Sequence, residues 1–169
     1  MSQAVSGHNA KLLREDRQAE VQPGCNCRGG PDTCPVGAKC LTDCVVYEAT
    51  VTETLSGNKE TYTGVTSRQF KQRLYEHNAD MRKESGRIKS CLSSHVWDLK
   101  DRGVGYDVSW KLKDRSTAYS PVTKKCRICL KEKFHILYKR DGAGLNKISQ
   151  IYKTCRHRRR TLLDNMKIS

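Results

Sequence analysis

No apolar run in this chain approaches the roughly 20 residues that a membrane-spanning helix needs, and its N-terminus has no signal-peptide core. A long basic amphipathic helix is also missing, which removes support for an anionic membrane surface as partner. No internal repeat appears, so a solenoid or propeller is excluded. Acidic residues are scarce against basic ones: 18 Asp and Glu face 32 Lys and Arg, a formal charge of +14 with a pI near 9.5. That excess points to a polyanionic partner, with nucleic acid ahead of a membrane. Charged residues make up 30% of the chain and mean hydropathy is −0.74, yet apolar periodicity persists. The 169 residues therefore read as soluble and folded around one core with small appendages.

What the chain does have in quantity is cysteine, nine in all. An odd number in short spacings, without a signal peptide, favours metal sites in a reducing compartment over disulfides. A secreted, disulfide-stapled chain is the alternative; native mass spectrometry, weighing bound zinc against lost thiol protons, separates the two. Residues 25–44 are loop sequence rich in Gly and Pro and poor in core-formers. Such a loop needs a staple, and Cys25, Cys27, Cys34 and Cys40 around a tetrahedral Zn²⁺ would supply it. Cys44, at the head of an apolar strand, reads as a buried thiol. A second, less certain zinc site would join the Cys126-x-x-Cys129 pair to Cys155 and His157. Positions 155 and 157 point to opposite sides of a continuous helix, so the last helix would have to end or bend there. Otherwise Cys155 is a core thiol.

Residues 1–24 read as a linker or flexible tail and 155–169 as a basic C-terminal tail. Between them, Val45 to Val51 alternates as a strand, a turn follows at 56–59, and Thr61 to Thr63 returns as the second arm of a hairpin. A helix is expected from Ser67 to about Lys83 with a Thr or Ser cap. A second should run from Ser90 to Arg102 on the stripe Leu92, Val96, Leu99, with Gly103 as its stop. Tyr106 to Lys113 alternates strictly and predicts a strand. A third helix is expected over Lys125 to Tyr138, with Cys129, Leu130, Phe134, Ile136 and Leu137 inward and Glu132 flanking them. A final helix would start at Asn146. The order β-β-α-α-β-α-α predicts an α+β fold, with a small, mostly antiparallel three-stranded sheet flanked by helices and a zinc-stabilised N-terminal loop.

The first helix places Phe70, Arg73, Leu74, His77 and Met81 within one arc. Burying a guanidinium costs several kcal/mol unless an anion meets it. This arc therefore suggests a phosphate pocket, or else a structural Arg paired with a carboxylate. Lys71, Gln72, Tyr75 and Glu76 read as solvated surface. Phosphodiester hydrolysis needs an activated water, neutralised phosphorane charge and a metal for the leaving oxygen. Glu132 suits one hydrated Mg²⁺ or Mn²⁺ ion. No second carboxylate is suitably placed, which argues against a two-metal clamp. Arg73 suits phosphate oxygens, and His77 and the tyrosines suit proton handling. A tyrosine base needs its pKa of about 10 lowered, and nearby cations could do that.

Tyr47, Tyr62-Thr63-Gly64, Arg73, His77, Glu132 and Asn146 together resemble the GIY-YIG nuclease family in order and spacing. The first triplet stands here as Val45-Val46-Tyr47 or its neighbour in register, and Thr63 stands where the second family triplet has Ile. The frame of Cys25-Asn26-Cys27-Arg28, Cys34-Pro35, Cys40, Val45 to Ala49, Cys126-x-x-Cys129, Glu132-Lys133, Leu145-Asn146-Lys147 and Cys155-Arg156-His157 is similar to the endonuclease domain of Penelope-like retroelements. The resemblance covers nearly everything after residue 24 and makes 45–154 a GIY-YIG-like nuclease core. It implies a DNA nickase in the nucleus whose cut primes reverse transcription, with a reverse transcriptase domain upstream on the full-length polypeptide. It further implies Tyr47 as the water-activating base, His77 as its proton acceptor and Tyr62 as the residue orienting the phosphate or water. Arg73 would stabilise the phosphorane, Glu132 would hold the metal, and Asn146 would support the site. Ser90 and His95 are left without a role. Two rival readings remain: a non-catalytic zinc-stabilised nucleic-acid-binding module, and a repair or junction nuclease of the same family.

Overall fold

Apolar alternation beginning at Val45 builds the central strand of the molecule. In the computed structural model, which describes residues 24–120, 122, 125–138, 144–146, 154–155 and 160–161, strand β1 (Val45–Glu53) lies between β2 (Lys59–Thr66) and β3 (Tyr106–Arg115). Both neighbours are antiparallel to it. The β1–β2 hairpin turns through Gly57 at φ 69°, and the Glu53 carboxylate accepts bonds from Ser56 and Asn58 across the turn. Between Val46 and Tyr47 the register against β3 slips, leaving Lys113 as an extra residue. Such bulges re-aim side chains, and this one sits beside Tyr47.

Among the described residues three α-helices complete the fold: α1 (Phe70–Arg82), α2 (Cys91–Asp101) and α3 (Arg127–Leu137). Successive residues of β1 face opposite sides of the sheet, so each face gathers its own core. Tyr47, Ala49 and Val51 pack with Tyr62 against Phe70 and Met81 of α1 and Leu92, Val96 and Leu99 of α2. Each fully buried aliphatic side chain there contributes about 1.5–3 kcal/mol. Val46 and its partner Val65 pack instead with Cys126, Ile128 and Cys129. Tyr119–Ser120 (β4) pairs with Lys125–Cys126 (β5), and Thr154–Cys155 (β6) with Arg160–Thr161 (β7). Among the described residues no helix is long and apolar enough to cross a membrane.

The α+β architecture and its three-stranded antiparallel sheet are as the sequence predicts. Helix α2 follows expectation closely: Ser90 caps it in a reciprocal box with Ser93, and Gly103 stops it at φ 67°. Three details differ. Helix α1 begins at Phe70 with no side-chain cap at Gln69, because Thr66 is already used in the preceding turn, accepting from the Arg68 amide. Helix α3 buries Ile128, Cys129, Glu132 and Lys133, while Leu130 and Phe134 are exposed; its inward face is rotated from the predicted one. Cys155 stands on strand β6 rather than on a helix, and most of the expected final helix lies outside the described residues.

Candidate active site

Tyr47 is wholly buried on β1, and its hydroxyl is 2.8 Å from Nε2 of His77 on α1. Nε of Arg73, one helical turn earlier, donates to the same hydroxyl at 3.1 Å. With Arg73 donating, the phenol keeps its own proton free to give to His77 in the tautomer that leaves Nε2 unprotonated. Space for the phenol depends on β2. A Cβ at Gly64, directly across the strand pair, would come within 2.5 Å of Cζ and Oη of Tyr47. The ring is held on its other sides by Phe70, Trp110 and His77, at centroid distances of 5.2, 6.1 and 5.7 Å. Tyr62 packs edge-on to His77 at 5.8 Å.

Arg73 is itself oriented. Its Nη1 pairs with Glu76 at 2.9 Å, and Arg68 closes on the other carboxylate oxygen. Burial would raise the Glu76 carboxyl, but hydrogen bonds from Arg73 and Arg68 hold it below the usual range. Glu76 keeps the partly solvated position that its place on the helix suggests, with 35% of its side chain exposed, and also orients Arg73. The structural-arginine alternative also has its carboxylate here. Even so, Arg73 still lines an open cleft of about 740 Å³ with Tyr62, Asn146, Lys89, Ser94 and His95. Arg87 lines it too, but is engaged by Asp98 and Asp101.

Asn146 grips β2 by its backbone: Oδ1 accepts from the Thr63 amide and Nδ2 donates to the Thr63 carbonyl, both at 2.7 Å. Glu132 comes from α3, which packs on β2 and β1. Its carboxylate is buried and near enough to raise the Tyr47 phenol. Tyr62, Arg73 and Asn146 therefore face the cleft and Tyr47 and His77 lie buried behind it, while Glu132 shares the inner face of α3 with Ile128 and Cys129, which pack with Val46 and Val65 on the other face of the sheet. Tyr47, Arg73 and His77 are joined by hydrogen bonds, Tyr62 packs on His77 and Asn146 holds the strand that carries Tyr62; Glu132 stands apart on α3.

The electrostatics correct one expectation. Burial pushes the Tyr47 phenol up, and Tyr62 and Glu132 add to the rise; Arg73 pulls the other way but is outweighed. Neighbouring cations alone do not make this tyrosine a base. Burial, followed by the charge of Arg73, lowers His77 to about 3, so its imidazole is neutral and able to accept. An unfolded histidine titrates near 6.5. Between pH 6.5 and 3 the unfolded chain therefore binds a proton that the folded site refuses, and stability present above 6.5 is lost on acidification. Thermal melts should fall across that window, and His77→Gln should flatten the dependence. An unchanged slope would mean that His77 titrates normally.

The cysteine loop forms a second centre. Sγ atoms of Cys25, Cys27, Cys34 and Cys40 all lie within 4.8 Å of one another, with Cys27 to Cys40 at 3.8 Å and Cys40 to Cys25 at 3.5 Å. Tetrahedral zinc with bonds of about 2.3 Å sets its sulfurs about 3.8 Å apart, so these four fit a metal such as zinc. Burial would raise the Cys34 thiol, but backbone amides of Val36 and Cys40 and the Cys25 thiol bring it to about 7. The Cys25 hydrogen bond, burial and Cys40 push Cys27 up to about 12. Four crowded thiols cannot ionise together without a cation, which is what a metal supplies. Cys44 stands outside the cluster, half-buried at φ 51°. Cys126 and Cys129 are buried together near β5. His157 and the Cys155 side chain lie outside the described residues, so their predicted ligand roles do too.

These features define an α+β protein in which a four-thiol, metal-capable loop abuts the helix lining a polar cleft of mixed charge. Comparison of the chain with protein-family models, with curated proteins and with solved structures finds no match in any of the three.

Proposed function

We propose that the chain is a metal-dependent DNA endonuclease of the GIY-YIG type that nicks duplex DNA. The observation carrying this reading is the buried Tyr47–His77 pair bonded to an arginine that borders an open cleft. Water attacks the phosphorus as its proton passes to the Tyr47 oxygen and the phenol proton passes to His77 Nε2. The P–O3′ bond breaks, the departing 3′-oxygen takes a proton from solvent water, and a 3′-hydroxyl and a 5′-phosphate remain. Arg73 meets the phosphorane oxygens, Tyr62 orients the phosphate at the cleft wall, and Asn146 fixes the strand that carries Tyr62. Glu132 would hold one Mg²⁺ or Mn²⁺, which supplies charge neutralisation at the scissile phosphate. Zn²⁺ on the four loop cysteines is structural. The +14 charge supplies salt-sensitive affinity for the backbone of DNA.

The likeness to Penelope-like endonucleases supports a nuclear enzyme whose nick primes a reverse transcriptase encoded upstream on the same polypeptide. The test is supercoiled plasmid incubated with Mg²⁺ or Mn²⁺. Conversion to open circle, suppressed by chelator, is the expected result. A non-catalytic binding module is the second reading, favoured by the complete burial of Glu132 and the pairing of Arg73 with Glu76. Retarded DNA with no conversion under either metal would leave that module in place of the nuclease.

A further inference from the structure

Helix α1 carries both Arg73 and His77, and its first turn has no cap of its own. Unsatisfied amides at a helix start need acceptors. Here the cysteine loop supplies them: the Phe70 amide donates to the Thr42 carbonyl at 2.8 Å and the Lys71 amide to the Cys40 carbonyl at 2.7 Å. The Lys71 ammonium then reaches back to Asn26, bonding its carbonyl at 3.0 Å and its Oδ1 at 2.6 Å. Asn26 stands between Cys25 and Cys27, whose amide donates to the Cys25 sulfur at 3.3 Å, and the Cys25 and Cys27 sulfurs lie 3.5 and 3.8 Å from that of Cys40. One chain of bonds thus runs from the thiol cluster through Asn26 and Lys71 to the start of the helix, two residues before Arg73.

We propose that the cysteine loop is the N-terminal cap of α1 and that Lys71 is a positioning residue joining the two, so that metal in the loop sets the placement of Arg73. A metal bound by four thiolates carries net negative charge, and a lysine bonded to the intervening knuckle residue offsets it. Partners of this outer kind typically change metal affinity by about 10- to 100-fold. Reciprocity follows: whatever ordering the metal gives to α1, an ordered α1 returns as metal affinity. Only the catalytic consequence rests on the nuclease reading; the coupling itself does not.

The experiment uses the full chain and its Lys71→Met variant, with Co²⁺ as the probe through its thiolate absorption bands. Lys71→Met is expected to bind Co²⁺ about 10- to 100-fold more weakly. In the unaltered chain, chelation should strip hydrogen-exchange protection from the amides of residues 70–73 while α2 keeps its own. Plasmid nicking by Lys71→Met should show a reduced kcat that recovers at saturating zinc. Unchanged Co²⁺ affinity overturns the proposal. So does protection lost equally from α1 and α2, or lost from neither. If affinity and exchange behave as expected but neither protein nicks, the coupling stands and the nuclease reading falls.

Discussion

Glu132→Gln is expected to lower plasmid cleavage by roughly 10²- to 10³-fold, the several kcal/mol that a metal contributes to a phosphoryl transition state. Glutamine keeps the volume of a side chain buried among Ile128, Cys129 and Lys133 on the inner face of α3, so the helix should hold its place. It loses the charge that would bind a hard cation. DNA affinity comes from the cationic surface and should change by less than about threefold at low salt. Cleavage equal to that of the unaltered chain, measured with matched thermal unfolding, would remove Glu132 from the chemistry.

The second large effect is expected at a residue with no side chain. In Gly64→Ala the new methyl group would overlap the end of the Tyr47 ring, whose Cζ and Oη lie 2.5 Å from the Cβ position. The ring cannot step aside, because Phe70, Trp110 and His77 surround it. The hydroxyl must therefore leave His77 or Arg73. Turnover should drop about 10²- to 10⁴-fold, as for loss of a general base, and overpacking should cost about 1–3 kcal/mol of stability. Tyr47→Phe should be similarly inactive. If both changes act through one hydroxyl, the double variant should be little slower than either single one. Full additivity would show that the glycine serves something else.

Much of the fold was legible because its residues fall on regular periods. The strict alternation of β3 and the Leu92, Val96, Leu99 stripe of α2 mark elements that the structure contains. The glycine in Tyr62-Thr63-Gly64 was visible, and a strand glycine often marks close approach of another group; its partner, the Tyr47 ring, was not. Misreadings came from contacts distant in sequence. The phase of α3 was drawn from Leu130 and Phe134, but packing on β2 and β1 turns Glu132 and Lys133 inward and leaves Phe134 stacked on Tyr138 in solvent. Adjacent Thr and Ser residues are the caps that local sequence offers α1, whereas its first amides bond the carbonyls of Cys40 and Thr42. For Tyr47, counting nearby cations left out the depth at which the phenol sits, and depth decides the direction.

The grip of Asn146 on Thr63 has a meaning apart from any chemistry. Strand β2 is an outer strand of its sheet, and an exposed rim of amides and carbonyls invites a foreign strand to dock and seed aggregates. Asn146 occupies both polar groups of Thr63, and the Leu145 amide takes the Thr61 carbonyl at 2.8 Å. Two residues more than eighty positions away in the chain thus occupy the groups beside Tyr62 that an added strand would need to bond.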